Sequence, residues 1–241
     1  MIDDNKKMDY EFQLYGGLTI NYQNLYIRSL TINEIRNLYG LSMILQLMNL
    51  STISHKQFKL AKEDDSLFDL IIGSELRDMF EVFMNIFLEF DHLEYGEKTR
   101  SYYLSRSGEI GVLNRDNFEE FLEVFRMAYC IDKYEEEELQ CDDKELLELF
   151  LKNQEEKEKV DKAMGRDVKI TINSMVEAVS NKHNSLNCLN IGQCTIYQIK
   201  RDLIRLYQID SNVYISTGVY TGNIASKDIK FEEFNWAKEL K

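Results

Sequence analysis

The residues best able to hold a metal ion or attack an electrophile are four cysteines and three histidines. Cys130, Cys141, Cys188 and Cys194 form no CxxC pair, and five residues separate Cys188 from Cys194. Structural zinc wants tighter pairs with histidine nearby, so the spacing predicts free thiols in a reducing compartment. His55, His92 and His183 complete neither HExxH nor HxH. Asp142-Asp143 lacks the rest of a calcium loop. Gly16-Gly17 is no dinucleotide fingerprint, and neither a phosphate-binding GxxxxGK[ST] loop nor a GxSxG elbow occurs. The expectation is a protein that is not an enzyme, with no cofactor and no metal.

Binding is the remaining chemistry, and two places invite it. Between Glu75 and Phe90, Leu76, Phe80, Phe83 and Phe87 recur at three- and four-residue spacing, with Met79 and Met84 beside them. Such a stripe is either core or a groove for an irregular apolar partner, because methionine adapts its shape. The second place is the outer surface of a helix over Thr195–Gln208 near Trp236, the single tryptophan. The partner-binding candidates are therefore Met79, Phe83, Met84, Phe87 and Trp236.

The bulk composition narrows the partner. A formal net charge of −13 argues against binding nucleic acid through its phosphates. No run of about 18 apolar residues predicts a membrane span, and the polar start Met1-Ile2-Asp3-Asp4 has no apolar signal core. Thirteen Phe and fourteen Tyr can build a core. The chain has no proline at all, which excludes proline-rich linkers.

Residues 1–9 look like a polar tail, and Phe12 to Ile27 like strands turned at Gly16-Gly17. Thr31-Ile32-Asn33-Glu34 has capping-box spacing, with Ile32, Ile35 and Leu38 or Tyr39 expected on one helical face. Leu41 to Leu50 is apolar all round, which suggests burial. Tyr102–Leu104 and Ile110–Leu113 flank a hairpin turn, and a helix bearing Phe118, Phe121, Leu122, Phe125 and Tyr129 follows an N-cap near Asn114. Residues 132–161 hold 13 acidic and 5 basic side chains, which reads as an exposed, charged helical linker. Beyond it, Val168–Val179 reads as a helix. Thr195 opens another, with Ile196, Ile199, Leu203, Leu206 and Tyr207 inward and Lys200, Arg201, Asp202 and Arg205 outward. Asn212–Tyr220 fits helix or strand. The fold class is mainly α (α+β): a module over residues 10–131 with small N-terminal and central β-hairpins, an acidic helix over 132–166, and a helical module over 167–241.

Three stretches together resemble a known family. They are Ile27-Arg28-Ser29-Leu30-Thr31-Ile32-Asn33-Glu34-Ile35, then Asn114-Arg115-Asp116-Asn117-Phe118-Glu119-Glu120-Phe121, then Asn184–Ile191 followed by Thr195-Ile196-Tyr197-Gln198 and a terminal segment with Trp236. The chain is similar to tail-cluster proteins of long-tailed phages and phage-like elements of low-GC Gram-positive hosts. Gly192-Gln193-Cys194 departs from the pattern, which often has an aromatic and an acidic residue there. The resemblance implies binding to other tail proteins, the tape-measure protein or baseplate and tube subunits, in the host cytoplasm or in the virion tail. A tail-assembly chaperone is the first reading and a structural subunit kept in the tail or baseplate the second. An acidic inhibitor of a host nucleic-acid enzyme is the reading from another class. No nucleic acid and no membrane are expected as partners, and self-association stays open.

Overall fold

A computed structural model describes residues 3–55, 58, 65–131, 171–224, 229 and 235. The acidic stretch 132–166 and Trp236 lie outside the described residues. The described residues are mainly helical, with two three-stranded antiparallel sheets.

The N-terminal tail and first strand expected from sequence are instead one helix, α1 (Asp4–Tyr15). The segment contains no β-branched residue, which removes one source of opposition to helix. Leu14 is fully buried and anchors it, and the chain leaves the helix at Gly16. The strands come later, as β1 (Ile20–Tyr22) and β2 (Leu25–Ile27). Their hairpin turn places Gln23 and Asn24 at φ 50° and 63°, the left-handed pair a tight hairpin requires.

Thr31 caps α2 (Ile32–Glu34) with the expected reciprocal box. The helix then widens into a π turn over Ile35–Tyr39, closed by the Gly40 amide donating to the Ile35 carbonyl at 2.7 Å. The wider turn decides between two side chains: Tyr39 packs on the core, whereas Leu38 is exposed. In α3 (Leu41–Asn49), Ile44, Leu47 and Met48 are buried, but Met43 and Leu45 reach solvent. The even apolarity of that helix therefore overstates its burial.

The centre is built by α4 (Leu67–Ile72), α5 (Leu76–Phe87) and α6 (Phe118–Tyr129). After α5 come β3 (Leu88–Glu89), β4 (His92–Gly96), β5 (Ser101–Arg106) and β6 (Glu109–Leu113). The strand β3 pairs with β2, so the N-terminal hairpin becomes a three-stranded sheet, and β4 extends the central hairpin in the order β4-β5-β6. Rings from α5 and α6 interlock: Phe83–Phe125 at 4.6 Å, Phe87–Phe125 at 5.0 Å and Phe87–Tyr129 at 5.0 Å between centroids. Tilted and edge-on pairs of this kind add to plain burial. Gly111 in β6 meets the N-terminal hairpin so closely that a Cβ there would stand 2.4 Å from the Asn24 carbonyl oxygen. The helix α6 begins at Phe118, three residues later than an Asn114 cap would place it, because the Asn117 side chain closes the preceding turn by accepting from the Asn114 amide.

Among the described residues, the C-terminal part has α7 (Ile172–Lys182), a short 3-10 turn at Ile191–Gln193, and α8 (Ile196–Tyr220). Asn212–Tyr220 thus continues the helix. Tyr207 does not face inward: it is 72% exposed. Thr31, Thr171 and Thr195 each open a helix with a Thr-Ile pair and a reciprocal capping box. Two of these caps meet. Thr31 and Thr195 form an antiparallel bridge, and the Ile32 amide donates to the Cys194 carbonyl at 3.0 Å. Gly192 permits the approach, since a Cβ there would stand 2.2 Å from Asn33 Oδ1. Ile196 and Tyr197 then join the same buried cluster as Phe83 and Phe125.

Candidate docking surface between the first and last helices

The structure separates the sequence-based candidates. Phe83, Met84 and Phe87 are fully buried, and Met79 packs against the same cluster. The α5 stripe is core here, not an open groove, because α6 presents an equally aromatic face to it. Trp236 lies outside the described residues.

The surface that does open lies between α1 and the first turns of α8. Gln198 sets their relation. Its Oε1 accepts from the Thr195 amide at 2.9 Å and closes the α8 capping box. Its Nε2 donates to the Tyr15 carbonyl at 2.8 Å, satisfying an orphan acceptor at the α1 C-terminus. A glutamate, as at Glu34 in the matching box, could make the first bond but has no proton for the second. Two residues on, Lys200 Nζ donates to the Cys130 carbonyl at 2.8 Å, where α6 ends in left-handed backbone. One turn of α8 therefore caps two other helices.

Met8, Glu11, Phe12 and Tyr15 follow helical spacing and form one wall of a groove. Tyr197, Arg201, Asp202 and Arg205 form the other, enclosing about 400 Å³. The α1 wall is apolar and open: Phe12 is 83% exposed, Met8 61% and Tyr15 57%. Arg201 lies 3.9 Å from Glu11 and over the Tyr197 ring at 5.8 Å. Arg205 donates to Gln208 at 3.0 Å. Asp202 is half-buried and, among the described residues, accepts a single long hydrogen bond, 3.5 Å from the Tyr15 hydroxyl. Burial raises the Asp202 pKa, with His183 and the Tyr15 hydrogen bond opposing. The Tyr15 pKa is raised first by the Asp202 charge and then by burial. Tyr197 is 4% exposed, its hydroxyl has no hydrogen-bond partner among the described residues, and burial pushes its pKa up to about 12.

Sequence reasoning placed Arg201, Asp202 and Arg205 on an outer face but missed the α1 half of the groove. The signal was present in the spacing of Met8, Phe12 and Tyr15, hidden by reading these residues as tail and strand. Among the described residues, no group of three or more His, Cys, Asp or Glu side chains could hold a metal ion. No helix among them is long and apolar enough to cross a membrane.

Residues 157–241 match the family model of the YomV second domain. YomV is a Bacillus phage-region protein, so the match fits a phage-associated family. No curated protein and no solved structure matches the chain.

Proposed function

We propose that this is a non-catalytic binding protein of phage tail morphogenesis, working in the host cytoplasm as a chaperone for the tape-measure protein. The observation that carries the reading is the exposed apolar face of α1 above the groove, on a chain of net charge −13. An apolar contact surface on a highly charged protein can hold an aggregation-prone helical partner while the complex stays in solution. The YomV-domain match supports the phage setting, and the resemblance of the capping and turn segments supports the tail setting. Co-expression with the tape-measure protein of the same phage element tests the reading. A gain in that protein's soluble fraction is expected, and no gain sinks the chaperone. Mass spectrometry of purified virions tests its transience: stoichiometric presence of the chain would make it a structural subunit instead.

A further inference from the structure

We infer that the α1–α8 groove is the docking surface for an apolar, amphipathic segment of a partner protein carrying a single Lys or Arg that reaches Asp202. The inference rests on the binding reading above and names the surface and the chemistry of its occupant.

Four charged side chains line the groove, and three are engaged within the protein. Arg201 faces Glu11, and Arg205 bonds to Gln208. Asp202 has no cation within 4 Å among the described residues, and its long bond from Tyr15 replaces little of the hydration it has lost. A half-buried carboxylate in that position is a demand for a cation. The buried Tyr197 hydroxyl, also without a hydrogen-bond partner among the described residues, adds a second polar group in the same wall. Apolar demand comes from the other wall, where Met8, Phe12 and Tyr15 stand exposed along about 10 Å of helix, roughly two turns. A partner helix of two turns covers that length.

Charge sets the occupant's character in two ways. The protein's net charge of −13 steers a cationic segment toward it. Arg201 and Arg205 flank the site and repel a second cation, so a polybasic stretch is rejected while one Lys or Arg on an apolar face is accepted. The groove thereby distinguishes an amphipathic protein segment from a generic polycation.

The test uses two labelled synthetic helical peptides built from Leu, Ala and Gln. One has a single Lys at the edge of its apolar face, and the other has Glu in that place. Each is titrated into the full chain at about 0.15 M salt, where long-range attraction is largely screened. The Lys peptide is expected to bind about tenfold more tightly than the Glu peptide, a difference of about 1.4 kcal/mol. Asp202→Asn is expected to abolish that preference, and Phe12→Ala to weaken both peptides. Equal affinities in the unmodified chain, no saturable binding, or binding indifferent to both substitutions would overturn the inference. Self-association of the chain abolished by Phe12→Ala would overturn it too, by showing a second copy as the occupant. If either variant misfolds, the comparison of the two peptides on the unmodified chain still decides. Co-expression separates the two levels: solubilisation of the tape-measure protein that survives both substitutions sinks the groove and leaves the chaperone standing.

Discussion

Helices α6 and α8 carry the same kind of apolar spacing, yet α6 buries seven of its 12 residues and α8 three of its 25. The difference lies in what faces them. Three layers close on α6: the rings of α5, the α4 residue Phe68 at 5.3 Å from Phe118, and the 3-10 turn Leu50–Thr52 after α3, whose Ser51 carbonyl accepts from Arg126 at 2.7 Å. Among the described residues only the first turn of α8 enters that cluster; further along, Val179 and Ile191 form a small second cluster with Ile199. Burial depends on how many apolar surfaces oppose a stripe, not on the stripe itself. Where α8 lacks such a surface it faces α1 across a groove, and that is where binding chemistry remains available.

The most forceful way to break this comparison is Phe83→Ala. It removes a fully buried ring that touches Phe80, Phe87, Phe121 and Phe125. A loss of about 3–5 kcal/mol is expected in urea unfolding, and a loss below about 1 kcal/mol would mean that the centre is not closely packed.

Alkali sharpens the same contrast. Burial, followed by hydrogen bonds to Glu120 and Glu81 respectively, raises the pKa of Tyr22 and Tyr102, and burial raises that of Tyr129. The unfolded chain releases these protons near pH 10, while the folded chain keeps them. The unfolded state therefore binds fewer protons, and stability present below about pH 10 falls as pH rises further. Tyr22→Phe with Tyr102→Phe is expected to flatten that fall, which urea midpoints from about pH 9 to about pH 12 would measure.

A smaller effect is expected at the joint between the regions. Gln198→Glu keeps the acceptor for the Thr195 amide but turns a carboxylate oxygen toward the Tyr15 carbonyl. A cost of about 1–2 kcal/mol is expected, together with faster amide exchange in α1 and little change in α5 and α6. Uniform acceleration would show that the two regions unfold as one. The smallest effect belongs to Asp202→Asn. Its raised pKa means that the charged carboxylate weakens the fold as pH rises through its titration range. Removing that charge should leave stability at neutral pH within about 0.5 kcal/mol or slightly higher, measured by thermal unfolding. A large loss would make Asp202 a structural residue.

Several of these features were legible in the residues. The Thr31 box, the α5 and α6 stripes and the β5-β6 hairpin follow from local spacing, because capping, helical periodicity and turn geometry act within a few positions. The strand β4 was not, since His92-Leu93-Glu94-Tyr95-Gly96 is held in place by pairing with β5. The helix α1 was misread because Tyr10, Phe12 and Tyr15 favour strands as single residues. What makes them helical is Leu14 buried in the core and Gln198 capping the helix end. The π turn that turns Tyr39 inward and Leu38 outward likewise leaves no mark in periodicity.

The helix starts at Thr31 and Thr195 and the aromatic stripes could be read from the residues alone, since each depends on neighbours within about four positions, and the net charge follows from composition. Which stripe became core and which surface stayed open depended on packing between elements far apart in the chain. Phe83 and Phe12 are the same residue type in helical segments, one fully buried and the other 83% exposed. The physical reason is that burial requires an opposing apolar face, and α6 supplies one to α5, whereas α8 meets α1 with arginines and an aspartate.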